Sequence, residues 1–91
     1  MSITIVKKVK SDGCLCRKSA EVWSKLESAR LLSHIDRIVF ARERDLQSEG
    51  MSLAIEHRVD AAPFFIVEED GVREVYTDYD LFLQEVIGYL E

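Results

Sequence analysis

The sequence contains little cysteine, proline and glycine, and it lacks a surplus of positive charge. Its 91 residues include two cysteines, one proline and four glycines, and the formal net charge is -5. So few prolines and glycines exclude a collagen-like or linker-like chain. The acidic balance offers no basic surface for phosphates, so we expect no nucleic-acid partner. No apolar stretch approaches the about 20 residues that a bilayer-spanning helix needs, so we expect no membrane partner.

The first residues and the length indicate location and size. The apolar run at residues 3–6 is short, is followed by lysines and lacks a cleavage site of small residues, which does not fit a secretory signal peptide. We therefore expect a cytoplasmic protein. A chain of this length has room for one hydrophobic core, so residues 1–91 are predicted to form a single domain.

Apolar periodicity predicts an alternation of strands and helices. Strands are marked by β-branched and aromatic runs, and helices by apolar residues at intervals of three and four. In chain order the predicted elements are strand 3–9, helix 16–32, strand 35–41, a helix capped by Asp45 or Ser48 that runs to residue 59, strands 64–67 and 72–76, and a helix capped by Thr77 or Asp78 that runs to residue 90. This order predicts an α/β fold, β-α-β-α-β-β-α, with a four-stranded mixed sheet flanked by helices.

Particular residues within these elements carry further expectations. The apolar positions expected on the buried side of the first helix are Ala20, Trp23, Leu26 and Ala29. The run Ile38-Val39-Phe40 is typical of a buried parallel strand. Gly50 is expected to weaken the start of the second helix.

A cysteine motif stands between the first strand and the first helix, and Pro63 opens the third strand. With the order of the elements, these features resemble the thioredoxin and glutaredoxin superfamily. The most specific local match is the segment 53–67 followed by Asp70-Gly71. The resemblance implies a thioredoxin-like fold of glutaredoxin size, a cis peptide bond before Pro63 that faces the cysteines, and pairing of the Ala62 backbone with a substrate peptide.

The motif is Cys14-Leu15-Cys16, at the predicted start of a helix. Unpaired amides and the positive end of the helix dipole favour a thiolate there. Arg17 and Lys18 add positive charge in the same turn, so we expect them to tune the thiols toward the thiolate form against the opposing charge of Asp12. At least one cysteine is therefore expected to be reactive.

The spacing departs from the family pattern, which places two residues between the cysteines where this chain has only Leu15. A disulfide between residues i and i+2 needs a bent backbone and a strained ring, which makes the bond easier to reduce. Two registers are open: Cys14 attacks and Cys16 resolves, or Cys16 takes the family's second-cysteine position and Gly13 its first. Greater exposure favours Cys14 as the nucleophile.

Other features of the family are absent. Lys8 and Lys10 lie in the strand where thioredoxins keep a buried acid for proton transfer, which does not favour efficient reduction by that route. The residues before Pro63 are Ala61-Ala62, and Thr77-Asp78 precede the last helix. Neither pair matches the family's glutathione-binding motifs, so the sequence does not indicate glutathione binding.

Three functions compete at this motif. The first is thiol-disulfide exchange by Cys14 and Cys16 on a disulfide-containing protein or a small thiol, without a cofactor. The second is a redox-inactive module that presents the Pro63 edge to a protein partner. The third is a thiolate redox sensor or metal handler, although His34 and His57 are predicted too far along the chain to complete a metal site with the cysteines. We therefore expect no bound metal in the single chain.

Overall fold

Strands and helices alternate along the chain in the predicted order. The computed structural model describes residues 1–91. Its elements are β1 (Ser2–Val9), α1 (Arg17–Ser28), a 3₁₀ turn (Leu32–His34), β2 (Arg37–Arg42), α2 (Glu49–Glu56), β3 (Phe64–Glu69), β4 (Val72–Tyr76) and a C-terminal helix. That helix consists of α3 (Tyr79–Phe82), a π-helical turn (Leu83–Ile87) and a last α-helical turn (Gly88–Leu90). Asp78 is its N-cap, accepting a hydrogen bond from the Leu81 amide at 3.1 Å.

The strands form one mixed sheet in the order β2-β1-β3-β4. β1 and β2 are parallel, whereas β3 is antiparallel to both β1 and β4. The β3–β4 hairpin closes through Asp70 and Gly71, both with positive φ (52° and 78°), as a type I′ turn requires. The predicted α/β class and four-stranded mixed sheet are therefore confirmed.

Helices cover both faces of the sheet, and each face has its own apolar cluster. On one face, α1 and the C-terminal helix pack against alternate residues of β1 and β3 such as Ile5 and Phe65. On the other face, α2 covers a smaller cluster that includes Val6 and Phe64. The adjacent residues Phe64 and Phe65 thus belong to opposite faces, as the strand period of two requires.

Both α1 and α2 end in Schellman motifs that contain no glycine. After α1, Leu31 N donates to Leu26 O and Arg30 N to Glu27 O, with Arg30 at φ 59°. Arg58 takes the same position after α2, at φ 56°. The prediction that the first helix runs to residue 32 was wrong, because an arginine terminates it where sequence reasoning expects glycine or asparagine.

Two predictions of burial hold only in part, because Leu26 and Val39 are buried as expected while other residues named with them are not. On α1 the buried residues are Ser19, Val22 and Leu26, while Ala20 and Ala29 are exposed and Trp23 is half-buried. β2 is parallel to β1 as predicted, but it lies at the edge of the sheet, and its Ile38 and Phe40 are 44% and 38% exposed. Ile38 and Phe40 point to the face of the sheet on which α1 packs, but α1 does not extend over the edge strand β2.

None of the helices is both long and apolar enough to cross a bilayer.

Candidate functional site

The two cysteines lie where the chain folds back on the end of β1. Lys10 N donates to Cys14 O at 2.7 Å, and Cys16 N donates to Lys8 O at 2.9 Å. These bonds form an isolated antiparallel bridge between Val9 and Leu15. The reversal passes through Gly13, whose φ of 89° is a conformation that glycine adopts without a Cβ clash.

Pairing at Leu15 sets the relative direction of the two cysteine side chains. Because successive side chains of an extended segment alternate, we expect the side chains of Cys14 and Cys16 to lie on one side of the backbone and that of Leu15 on the other. Two residues of extended chain separate their Cα atoms by about 6.5 Å, near the upper end of the range that a disulfide spans. Both cysteines are free, Cys14 exposed and Cys16 half-buried. Joining them therefore needs a bend of the segment that is paired to Val9.

Cys16 is the N-cap of α1, and Ser19 holds its sulfur. The Ser19 amide donates to Cys16 Sγ at 3.4 Å, and the Cys16 thiol donates to Ser19 Oγ at 3.1 Å. Ser19 is fully buried, and its Oγ also accepts a hydrogen bond from Lys8 N at 3.0 Å. If Cys16 loses its proton, the hydroxyl is free to reverse and donate to the sulfur, so the site supplies two donors for a thiolate.

Cys14 is in a different environment. Its amide donates to Asp12 Oδ1 at 2.9 Å, and this bond, more than the nearby Lys10, lowers the pKa of Asp12. The sequence places both cysteines at the start of the helix, whereas in the structure only Cys16 contacts the helix N-terminus. Cys14 precedes it by two residues in the exposed turn, in agreement with its predicted greater exposure.

Arg17 and Lys18 are exposed in the first turn of α1, as predicted. Lys18 lines a cleft of about 190 Å³ together with Pro63 and Asp78. The structure thus brings the predicted Lys18 and Pro63 together. Pro63 is buried, and the Ala62–Pro63 peptide bond is cis, which confirms that expectation.

Ala62 faces elsewhere. It lines an apolar groove of about 280 Å³ between α2 and the ends of β1 and β2, together with Met51 and Phe64. Lys8 and Glu43 lie at the side of this groove nearest the cysteine loop, 3.6 Å apart. Ala62 and Pro63, predicted as one substrate-binding pair, therefore line two separate depressions.

Sequence reasoning missed two residues near the site. Ser19 was overlooked because a serine in the first turn of a helix is usually exposed, although its position three residues after Cys16 is a capping spacing. Lys7 is only 6% exposed, and its Nζ lies 3.7 Å from the centroid of the Trp23 ring. Burial lowers the pKa of Lys7. Because side chains alternate along a strand, Lys7 points to the same face as Ile3 and Ile5, and this alternation is the sequence signal that it lies on a covered face.

No three side chains of His, Cys, Asp or Glu are grouped closely enough to hold a metal ion. His34 instead contacts Glu91, with 3.0 Å between Nε2 and Oε2. Histidine ligands therefore do not converge on Cys14 and Cys16.

Comparison with known proteins gives no family assignment. No protein family, curated protein or solved structure matches the chain. The chemistry of the site is accordingly inferred from its own residues.

Proposed function

We propose that the protein carries out thiol-disulfide exchange with Cys14 and Cys16 as its working pair. One observation carries the proposal: Cys14 and Cys16 flank the residue of the antiparallel bridge, Leu15, with Cys14 exposed and Cys16 at the helix N-cap. An exposed sulfur is accessible to a substrate, and a thiolate that accepts a hydrogen bond from the Ser19 amide is a good leaving group.

We also propose that the fold is thioredoxin-like. The parallel β1–β2 pair, the antiparallel β3–β4 hairpin and the order β2-β1-β3-β4 support this assignment. The cysteine loop follows β1, and the cis bond at Pro63 lies across a cleft from Lys18 in the first turn of α1. The family's arrangement of a thiol motif beside a cis-proline is thus compatible with the geometry.

The first step uses the exposed sulfur. After Cys14 loses its proton to solvent, its thiolate attacks one sulfur of a substrate disulfide, forming a mixed disulfide and breaking the substrate's S–S bond. The departing substrate thiolate takes a proton from solvent. Cys14 is assigned this step because it is exposed while Cys16 is half-buried.

The second step closes the pair. The Cys16 thiolate, held by the Ser19 amide, attacks Cys14 Sγ and displaces the second substrate thiolate. Two electrons pass to the substrate, and Cys14 and Cys16 become a disulfide. A small thiol that attacks Cys14 Sγ then releases the Cys16 thiolate and forms a mixed disulfide on Cys14. A second small thiol attacks the outer sulfur of that mixed disulfide, releases the Cys14 thiolate and leaves as the oxidised small disulfide, which returns the centre to its reduced state.

Trapping experiments test both the activity and the order of attack. We expect the Cys16→Ser variant, mixed with a small aromatic disulfide, to accumulate a mixed disulfide on Cys14 that intact-mass spectrometry detects. The matched Cys14→Ser variant is expected to accumulate much less, and the reverse pattern would assign the attack to Cys16. The proposal fails if the unmodified protein keeps two free thiols across glutathione buffers of about -320 to -180 mV.

The apolar groove beside the cysteine loop favours a second candidate, a module that binds a protein partner without turnover. Ala62 and Met51 line this groove, and Leu46 at its rim is 66% exposed. In that case a protein partner protects Leu46 from solvent equally well in the presence and absence of Cys14 and Cys16. Binding that survives the Cys14→Ser/Cys16→Ser double substitution, with no exchange by the unmodified protein, would select this candidate.

A further inference from the structure

The free edge of β2 differs from the free edge of β4. Along β4 the central residues Arg73 and Glu74 are charged, and Arg73 Nε donates to Glu68 at 2.9 Å. Charges of this kind protect a sheet edge from pairing with another chain. Along β2 the arginines stand only at the two ends, and the four residues between them are Ile38, Val39, Phe40 and Ala41. The β2 edge therefore lacks a central charge.

Backbone hydrogen bonds identify which groups of β2 are available. Glu43 N donates to Val9 O at 2.9 Å. The backbone N–H and C=O groups of the odd-numbered residues of this strand therefore point toward β1, and those of the even-numbered residues point away from the sheet. Of the outward amides, Arg42 N is already bonded to Ser48 Oγ at 3.0 Å. Asp36 N, just before the strand, donates to Ile3 O at 2.8 Å. This leaves Ile38 and Phe40 as the residues of β2 whose outward N–H and C=O groups have no hydrogen-bond partner within the chain.

From this pattern we propose that two copies of the chain associate through antiparallel pairing of their β2 strands. Only one register pairs the open groups of Ile38 and Phe40 with each other and places the occupied amides of Asp36 and Arg42 opposite one another, where no open group depends on them. It places Ile38 opposite Phe40 of the second copy as a hydrogen-bonded pair, with Val39 on the two-fold axis. The two sheets then continue as one.

Side chains favour the same register. Ile38 and Phe40 are 44% and 38% exposed on one face, so each apolar side chain meets an apolar side chain of the other copy. Arg42 lies opposite Asp36, which gives an ion pair of opposite charges at each end of the joined strands. A shift by two residues in either direction would place an occupied amide opposite an open group and lose both Ile38–Phe40 pairs.

Sedimentation equilibrium in the presence of a reductant tests the association. We expect a concentration-dependent dimer for the unmodified protein and at least a tenfold larger dissociation constant for Phe40→Lys. The control Val72→Lys alters another exposed apolar residue, 61% exposed on β4, and is expected to dimerise normally. A protein that stays monomeric at millimolar concentration, or a Phe40→Lys variant that dimerises like the control, would overturn the proposal.

Cross-linking tests the register in a Cys14→Ser/Cys16→Ser background, so its outcome is independent of thiol exchange. Residues on the axis form a non-hydrogen-bonded pair with Cα atoms about 4.5 Å apart, within disulfide range. We expect Val39→Cys to form a covalent dimer on oxidation. Ala41→Cys, buried on the same face, is the control and is expected to remain uncrosslinked, because Arg37 lies opposite it. Equal cross-linking of the two variants would exclude this register.

Discussion

Cys16 and Ser19 are linked twice across the first turn of α1. The Ser19 amide donates to Cys16 Sγ at 3.4 Å, and the two side chains lie 3.1 Å apart at Sγ and Oγ. Ser19 is fully buried, and its Oγ also accepts from the Lys8 amide, so the hydroxyl ties the sulfur to the last residues of β1. The reactive loop and the sheet are thereby fixed to each other through one small side chain.

Removing this hydroxyl should slow the chemistry of Cys16. In a Cys14→Ser background, we expect Ser19→Ala to lower the rate of Cys16 alkylation by iodoacetamide at neutral pH about fivefold. That is the effect of losing one hydrogen bond to the thiolate worth about 1 kcal/mol. The free energy of unfolding should also fall by about 1–3 kcal/mol, because the Lys8 amide loses its acceptor. Ser24→Ala, exposed on the same helix, is the control. Equal alkylation rates in the two variants would contradict a role for the hydroxyl.

The extended backbone at Leu15 should make the oxidised centre easy to reduce. Closing a disulfide across one intervening residue requires bending a segment that is otherwise paired to Val9. Equilibration with glutathione buffers should therefore give a midpoint less negative than the about -270 mV of thioredoxins. Insertion of a glycine between Leu15 and Cys16 should relax the ring and make the midpoint more negative. An insertion that leaves the midpoint unchanged would show that ring strain does not set it.

Much of this fold could be predicted because local pattern and tertiary structure agree. The β-branched run at β1, the apolar run before Glu69 and the Asp70-Gly71 turn each specify an element without help from distant residues. The position of the cysteines between β1 and α1 follows directly from those elements. The cis bond before Pro63 was an expectation taken from the resemblance rather than from any pattern of residues.

What could not be predicted depends on neighbours that are distant in sequence. Gly50 looked like a weak point of a helix, but α2 packs so closely on β2 that a side chain there meets the backbone of Ala41. The strand period places Lys7 on the same face as Ile3 and Ile5, but a lysine at that position does not indicate burial until the cover by Trp23 is known. β2 looked buried, because its apolar composition does not reveal that it lies at the edge of the sheet. Each failure is a tertiary contact that overrides a local preference.

Burial of Lys7 predicts a rise in stability with alkaline pH. Because burial lowers the folded-state pKa of Lys7 below the 10.5 of the unfolded chain, the unfolded state holds more protons between the two values. Lys7 therefore contributes an increase in the free energy of unfolding as pH rises through the window just below 10.5, and this contribution is measured as the difference from Lys7→Met. Tyr76 and Tyr79, whose pKa values are raised above 10.0, give the opposite slope at higher pH in both proteins. Lys7→Met should abolish this increase. At neutral pH, the free energy of unfolding of this variant should be higher than that of the unmodified protein or lower by no more than about 1 kcal/mol. Lys8→Met, at an exposed lysine paired with Glu43, is the control and should keep the increase.

The arginines at the ends of α1 and α2 hold left-handed conformations that glycine adopts more easily. With φ at 56°, Arg58 carries a steric cost that Arg58→Gly removes, so we expect the free energy of unfolding to rise by up to about 1 kcal/mol. Arg30→Gly, with φ at 59°, should behave alike. Arg44→Gly, in the exposed loop before α2 and without a positive φ, should instead be neutral or slightly destabilising. Chemical denaturation of the three variants distinguishes these outcomes.

Gly50 should resist a substitution that helix propensity favours. A Cβ at this position would lie 2.3 Å from Ala41 N and 2.4 Å from Phe40 C, both backbone atoms of β2 that cannot rotate away. Gly50→Ala should therefore lower the free energy of unfolding by at least about 2 kcal/mol, despite the about 1 kcal/mol that alanine normally adds to a helix. Gly88→Ala is the matched control, because its Cβ would meet only Leu83 O at 3.5 Å, an ordinary contact. That variant should be as stable as the unmodified protein or more so, and equal effects at the two glycines would mean that α2 can move away from the sheet.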